Sequence, residues 1–249
     1  VIDDAAQALG ATIDGQLVGS FGNVGILSFG VEKVCFGLGG GALVSRRAEI
    51  VQKQSQTILP APAFTPAVTN LLSIFIRRCL RRWTLPLGSA LAPIAPAPDA
   101  APAPYRRESM SNLAVAVASS LMRALDQNIF ARRARVQTYR ELLGSSARID
   151  LISHRAGSAC LTQVTRISPN HRGDDAASRV ITSLRAAGYE VQGSYVPIHL
   201  LSSFNACVWD RLPFAERLWP DLVELPCEPS VSLNDVERIA AIVKETVSA

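Results

Sequence analysis

Short apolar strands that alternate with helices constrain the fold of this chain more than any other feature of its sequence. Val24–Phe29 and Ala42–Val44 are apolar runs bounded by glycine, a pattern typical of buried strands. Towards the end of the chain, Leu161–Ile167 predicts a strand, Asp174–Ala187 a helix and Val223–Leu225 another strand. Because strands and helices in alternation pack as layers, the sequence predicts an α/β fold.

A long helical segment separates the two groups of strands. Apolar residues recur near one face throughout Met110–Leu143, which predicts one long helix. A short strand is expected at Tyr189–Val191, and a last helix begins at a cap formed by Ser232 or Asn234. Residues 86–104 are rich in proline and alanine, which favours a linker or a surface loop.

The composition narrows the classes of function. The 25 basic and 21 acidic residues leave a net charge of +4, too small to indicate a nucleic-acid partner, and no DNA- or RNA-binding motif is present. Five cysteines and three histidines lack the spacing of a metal site, and the scattered cysteines favour a reduced, cytoplasmic protein. For the basic apolar stretch at 71–83, packing on the domain is a simpler explanation than contact with a membrane.

Three short segments that could form a binding or catalytic site stand close together in the first part of the chain. Asp3 and Asp4 directly follow a predicted strand. Ser28 stands at the end of a second predicted strand, with Lys33 five residues later, and Gly39–Gly41 precede a third. In open α/β sheets, ligands gather at the carboxyl ends of strands. The sequence therefore predicts that Asp4 and Lys33 belong to one site.

A carboxylate and a lysine at one site fit the chemistry of pyridoxal phosphate (PLP). The lysine amine condenses with the aldehyde of the cofactor as a Schiff base, and the carboxylate keeps the pyridine nitrogen protonated. A hydroxyl group such as that of Ser28 can donate to the phosphate. From residue types alone two other interpretations stay open: the two aspartates form a cap or a turn, and Lys33 is an ordinary surface lysine.

A closer resemblance to a known family is carried by four runs, Val1–Ala11, Val18–Gly25, Ser28–Lys33 and Gly39–Val44. In order, spacing and identity they resemble the DegT/StrS-type sugar aminotransferases, which are fold-type I enzymes that use PLP. The resemblance continues more loosely through the rest of the chain, including Tyr195–His199, and leaves a gap near residues 57–109.

The resemblance implies a role for each of five residues. Lys33 would bind the cofactor covalently and then move a proton between the cofactor and the substrate. Asp4 would pair with the pyridine nitrogen, Gln7 would lie near the phenolic oxygen of the ring, and Ser28 would bind the phosphate. His199 is a candidate contact to the substrate, and a packed or surface histidine is the alternative interpretation.

The resemblance also implies the organisation of the chain. We expect the C-terminal part of a fold-type I PLP-dependent transferase. Residues 1–104 would form part of the PLP-binding large domain, a sheet remnant followed by the Pro/Ala-rich linker. Residues 105–249 would form a long linking helix and a small C-terminal α/β domain. Val1 stands in mid-strand, so we expect the natural protein to begin upstream, with a processed N-terminus as the alternative.

The implied function is transfer of an amino group from an amino acid, glutamate being the expected donor, to a nucleotide-linked keto sugar. The expected product is an amino sugar for polysaccharide or secondary-metabolite biosynthesis. A cytoplasmic homodimer is the expected state. The alternative from another class is a non-catalytic remnant or partner subunit that keeps the fold and does not hold PLP by itself.

Overall fold

Two separate sheets organise the chain. The computed structural model describes residues 1–56, 59–60, 68–69, 71–72, 76, 108–171, 174–204, 206–207 and 210–248. Its strands and helices are, in chain order, β1 (Ile2–Asp4), β2 (Thr12–Ile13), β3 (Gln16–Leu17), β4 (Val24–Ser28), β5 (Gly41–Val44), α1 (Ala48–Ser55), α2 (Asn112–Met122), α3 (Leu125–Leu143), β6 (Ile149–Leu151), β7 (Thr162–Ile167), α4 (Ala176–Ala186), β8 (Gln192–Gly193), α5 (Pro213–Leu218), β9 (Leu222–Pro226) and α6 (Leu233–Ser248).

The first sheet contains the two strands predicted from the glycine-bounded runs, and both predictions are confirmed. The strand order is β1-β4-β5, with β1 parallel and β5 antiparallel to the central strand. Leu9, Phe29 and Val34 are buried in a core beside this sheet. The other face is open, with Ile2 68% and Ile26 40% exposed. The parallel pair places the carboxyl ends of β1 and β4 at the same edge.

The second sheet has the order β6-β7-β9-β8, and every neighbouring pair in it is antiparallel. One face packs on α4 and α6, where Val180, Leu184, Val223 and Leu225 are completely buried. The predicted strands in β7 and β9 and the predicted helix α4 are confirmed. The last helix is also confirmed, and Ser232 is its cap, because its Oγ accepts from the Asp235 amide at 3.1 Å.

The single helix predicted over Met110–Leu143 is wrong, because two helices occupy this region. Ala124 has φ −104° and ψ 15°, outside the helical range, and separates α2 from α3. After the break, α3 continues from the first core into the second. Ala118 of α2 packs in the first core, whereas α3 contributes Ile129 to the first core and Val136 to the second.

Polar side chains of α3 hold this helix against β9 and the loop after it. The guanidinium of Arg135 donates to the backbone oxygens of Val231 (2.6 Å) and Pro229 (3.1 Å), and also to that of Ala131 (2.6 Å), one turn earlier in the same helix. The Tyr139 hydroxyl donates to the Pro226 oxygen at 3.2 Å. The bonds to Val231, Pro229 and Pro226 give buried polar groups of the helix their partners and fix its position against β9 and the loop after it.

The strand predicted at Tyr189–Val191 is wrong by position, since the strand is Gln192–Gly193. Tyr189 and Val191 are buried outside a strand, and the Val191 oxygen accepts from Arg185 Nε at 2.8 Å. Burial rather than strand pairing explains the apolar pattern there. The prediction missed β6 and the short helix α5.

The expected linker at 86–104 and the expected domain boundary at 104 lie outside the described residues. Most of the basic stretch at 71–83 lies outside them as well. Among the residues that the structure does describe, none of the helices has the length and apolar character needed to cross a membrane.

Candidate active site

The carboxyl ends of β1 and β4 bring Asp4 and Ser28 to one edge of the first sheet. Asp4 is paired in register with Ile26, and Ser28 follows Ile26 by two residues along β4. Because side chains alternate between the faces of a sheet, Asp4, Ile26 and Ser28 belong to the same face. This is the open face, so both polar side chains stand beside a surface that the described residues leave uncovered.

The two aspartates that end β1 have different surroundings. Asp3 Oδ2 accepts from the backbone amides of Gly19 (2.7 Å) and Phe21 (2.9 Å), and therefore holds the loop before β4 in place. Asp4 is exposed, and its Oδ1 accepts from the Ala6 amide at 2.9 Å. The Asp3 carboxylate therefore stabilises the loop, whereas the Asp4 carboxylate remains accessible to a ligand.

Lys33 lies close to Ser28 because the chain turns immediately after β4. The Lys33 amide donates to the Gly30 oxygen at 3.3 Å, and the Gly30 amide donates to Ser28 Oγ at 3.4 Å. A methyl group placed on Gly30 would lie 3.5 Å from Lys33 Cγ and 3.7 Å from Ser28 Oγ. The half-buried side chain of Lys33 thus passes over Gly30 beside the Ser28 hydroxyl.

The glycines after Lys33 fasten this turn to the protein. The oxygen of the buried Phe29 accepts from the amides of Gly37 and Gly39, and the Phe29 amide donates to the Gly40 oxygen at 2.9 Å. Gly40 has φ +84° and packs against Met110 so closely that a Cβ would collide with it. The turn that carries Lys33 is therefore held by backbone bonds on both sides.

Gln7 stands three residues after Asp4, and its side chain is exposed. Burial raises the pKa of the Tyr195 hydroxyl, in the segment after β8; the carboxylates of Glu224 and Glu32 raise it further, and the Gln7 side chain opposes this effect. The electrostatics thus couple Gln7 to Tyr195 of the second sheet's margin.

Glu224 of the second sheet is electrostatically coupled to Glu32, the neighbour of Lys33 in the chain. It lies half-buried on β9, and Gln192 Nε2 of the neighbouring strand donates to its Oε2 at 3.3 Å. Burial raises the pKa of Glu224, the bond from Gln192 lowers it, and the nearby Glu32 raises it. Sequence reasoning assigned no role to Glu224, Gln192 or Glu32. A polar residue inside an otherwise apolar strand was the one signal that could have indicated Glu224.

His199 is placed differently from the other candidates. It lies in a 3-10 turn, Ile198–Leu200, and its Nε2 is 3.2 Å from Glu216 Oε1. Only 9% of its side chain is exposed. Its described partner is this carboxylate on α5, so the structure brings together Asp4, Ser28 and Lys33 without showing a contact from His199 to them.

Within the part of the chain that the structure describes, no group of three or more His, Cys, Asp or Glu side chains is arranged to hold a metal ion. The site thus contains one accessible carboxylate, one lysine amine and one hydroxyl group at adjacent strand ends, with an amide and a phenol at its margin. These groups can bind an anion, form a covalent bond to a carbonyl carbon and hold or move a proton.

Comparison with known proteins places the chain among aminotransferases. The sequence profile of the DegT/DnrJ/EryC1/StrS aminotransferase family matches residues 1–61 and 105–244. GDP-perosamine synthase of Caulobacter vibrioides is 23% identical over 249 residues, which are 99% of this chain and 58% of that protein. UDP-N-acetyl-3-dehydro-alpha-D-glucosamine 3-aminotransferase of Acidithiobacillus ferrooxidans is 50% identical over 54 residues, which are 21% of this chain and 15% of that protein.

Solved structures share the fold. Helicobacter pylori PseC, an aminotransferase involved in the biosynthesis of pseudoaminic acid, has a TM-score of 0.72 at 17% identity, over 99% of this chain and 59% of that one. The aminotransferase TlmJ from Streptoalloteichus hindustanus has a TM-score of 0.70 at 23% identity, over 99% and 58%. The chain therefore spans less than two thirds of the length of these proteins. The predicted fold class, a C-terminal part of a fold-type I transferase, is confirmed.

Proposed function

This chain belongs to the DegT/DnrJ/EryC1/StrS aminotransferase family, and we propose that it carries the cofactor-binding lysine of a PLP-dependent sugar aminotransferase. The observation that carries this proposal is the convergence of Asp4, Ser28 and Lys33 at the ends of two neighbouring parallel strands. On this proposal, residues 1–104 belong to the cofactor-binding domain, and residues 105–249 form the linking helices and the small domain.

The carboxylate of Asp4, the hydroxyl group of Ser28 and the amine of Lys33 are the functional groups that PLP binding requires. Asp4 leaves an accessible carboxylate for the pyridinium nitrogen, and the Lys33 side chain and the Ser28 hydroxyl, which suits a phosphate, both lie next to Gly30. When bound, PLP supplies the electron sink that stabilises negative charge on the substrate carbon. The fixed turn around Gly30 matters because covalent capture is efficient when the reacting groups are held in place.

Each residue then has a defined task. Asp4 keeps the ring nitrogen protonated by holding a negative charge beside it. Ser28 donates to the phosphate, and Gln7 orients the ring through its phenolic oxygen. Lys33 would provide the amine that anchors the cofactor covalently, and the same amine would hold and move the proton between the cofactor and the substrate.

We propose a nucleotide-linked keto sugar as amino acceptor and an amino acid, with glutamate as the expected donor, as the source of nitrogen. Two relatives, GDP-perosamine synthase and UDP-N-acetyl-3-dehydro-alpha-D-glucosamine 3-aminotransferase, support this class. A homodimer that acts in the cytoplasm is part of the same proposal, and the product would serve amino-sugar biosynthesis.

The test is a titration of the protein with PLP followed by glutamate, monitored by the absorbance of the cofactor. We expect the unsubstituted protein to show the band of a lysine-bound cofactor and to lose it when glutamate is added. Lys33→Ala should show neither change. Lys244→Ala, which removes an exposed lysine of α6, is the matched control and should behave like the unsubstituted protein. A normal response from Lys33→Ala would contradict the proposal.

A further inference from the structure

A chain of hydrogen bonds connects helix α3 to the turn that carries Lys33. Asn128 Nδ2 donates to the backbone oxygen of Val34, the residue after Lys33, at 3.2 Å. At the other end of the same amide, Asn128 Oδ1 accepts from Arg132 Nε at 2.7 Å. Arg132 Nη1 donates in turn to the oxygen of Leu161, one residue before β7, at 2.8 Å. The chain therefore runs from the start of β7 to the neighbour of the candidate lysine.

The chemistry of these groups fixes the direction of each bond. A guanidinium can only donate and a backbone carbonyl can only accept, so the Asn128 amide must present its oxygen to Arg132 and its NH2 group to Val34. Asn128 stands four residues before Arg132 on α3, the spacing that brings two side chains together on one face of a helix. This position therefore requires a side chain that accepts at one end and donates at the other.

Arg132 is a buried charge, and its burial strengthens the chain. Only 4% of the residue is exposed. Burial lowers the pKa of its guanidinium, and the carboxylate of Glu228 opposes this effect. A buried cation is costly unless its N–H groups are bonded, and Arg132 uses two of them on Asn128 and Leu161. A bond from a charged donor is stronger than a neutral one and polarises the amide that accepts it. The charge of Arg132 thus strengthens the bond from Asn128 to the Val34 oxygen.

Apolar packing holds the same part of the turn in place. The side chains of Val34 and Ile129, which follow Lys33 and Asn128 in the chain, lie in one buried core. The next residue of the turn, Cys35, is buried in this core too. The backbone after Lys33 is therefore fixed against α3 by one hydrogen bond and by apolar contacts, whereas the Lys33 side chain itself is only half-buried.

We propose that Asn128 is a positioning residue for Lys33 and that Arg132 acts through it. This inference rests on the proposed function and concerns residues that touch neither cofactor nor substrate. Asn128 holds the backbone after Lys33, while the Gly30 oxygen holds the Lys33 amide. The amine is thus presented from a fixed point, which makes covalent capture efficient. In that capture the neutral Lys33 amine forms a C=N bond to the aldehyde carbon, and the aldehyde oxygen leaves as water with the two amine protons.

The experiment compares Asn128→Asp with Gln127→Glu in the whole chain. Asn128→Asp keeps an oxygen for Arg132 and replaces the donor to Val34 with a second carboxylate oxygen, so it removes that bond and retains an acceptor for the guanidinium. Gln127→Glu makes the same change from amide to acid at the adjacent, exposed position of α3 and is the matched control.

The first readout is amide hydrogen exchange, measured by mass spectrometry without cofactor. The amides of Lys33 and Gly37, which donate to the oxygens of Gly30 and Phe29, report on the turn, and the amides of β7 report on the rest of the fold. We expect the turn to exchange roughly 10-fold faster in Asn128→Asp, the effect of losing one buried hydrogen bond, with β7 unchanged. An unchanged turn, or equal acceleration in the turn and in β7, would overturn the inference.

The second readout is the rate at which the absorbance band of the lysine-bound cofactor appears after mixing with PLP. We expect this rate to fall roughly 10-fold in Asn128→Asp and to stay unchanged in Gln127→Glu. An unchanged rate in Asn128→Asp would overturn the inference and leave the proposed function standing.

Two further outcomes are decisive. If Asn128→Asp does not fold, Asn128→Ala replaces it, and failure of both variants to fold would show a purely structural role and overturn the inference. An unsubstituted protein that forms no adduct on Lys33 contradicts the proposed function, whereas the exchange comparison without cofactor still decides whether Asn128 holds the turn.

Discussion

Replacing each of the two adjacent aspartates should separate the stability of the fold from the binding of the cofactor. In the structure, the Asp3 carboxylate accepts two backbone amides, whereas Asp4 accepts one and stays exposed. Asp3→Ala therefore removes two charge-assisted hydrogen bonds, each worth about 1 kcal/mol at a partly exposed position, or about 2 kcal/mol together. Asp4→Ala removes one exposed bond, worth about 0.5 kcal/mol.

These free energies predict the thermal midpoints. For a chain of this length, 1 kcal/mol corresponds to about 2–4 °C in Tm. Asp3→Ala should lower Tm by about 4–8 °C, and Asp4→Ala by about 1–2 °C. Calorimetry of the two variants without cofactor tests this ranking directly.

Activity should rank the two positions in the opposite order. Asp4→Asn keeps the side-chain size and the Ala6 contact and removes the charge that would hold the ring nitrogen protonated. We expect transamination to fall by at least about 100-fold in Asp4→Asn and to change little in Asp3→Asn. A greater loss of activity from Asp3→Asn, or a greater loss of Tm from Asp4→Ala, would refute the assignment of the two carboxylates.

Three further predictions concern the fold. Arg135→Met takes the side-chain donor from the Val231 and Pro229 carbonyls and should lower the free energy of unfolding by roughly 2 kcal/mol in denaturant titration, with a loss below about 0.5 kcal/mol contradicting this role. Gly25→Ala should cost at least about 2 kcal/mol in the same assay, because its Cβ would collide with the Gly19 oxygen, and a neutral result would show that the loop can yield. The protein should self-associate on size-exclusion chromatography, because Ile2 and Ile26 expose an apolar sheet face; a monodisperse monomer would contradict this expectation.

The sequence allowed prediction of the elements whose pattern is local. Apolar runs bounded by glycine marked β4 and β5, and short apolar runs on either side of a helical segment marked β7 and β9. The break at Ala124 could not be predicted, since good helix formers continue on both sides and only the demands of two separate cores impose the change of direction. Tyr189–Val191 shows the same limit, because buried apolar residues do not distinguish a strand from an irregular segment.

The candidate site likewise contains residues that local sequence motifs indicate and residues that they do not. Asp4, Gln7, Ser28 and Lys33 stand in short motifs of defined spacing, so the sequence could nominate them together. Glu224 and Gln192 meet through the pairing of strands that are distant in sequence, and no local motif indicates which strand residues will pair. Motif spacing therefore nominated the candidate residues of the first sheet, whereas the polar pair on the second sheet became visible only in the structure.

The most direct test of the central claim is covalent trapping of the cofactor. The protein is incubated with PLP, reduced with borohydride, digested and mapped by mass spectrometry. Three lysines, Lys33, Lys53 and Lys244, can carry a stable pyridoxyl group. The account predicts the adduct on Lys33, and an adduct on Lys53 or Lys244 with none on Lys33 would contradict it.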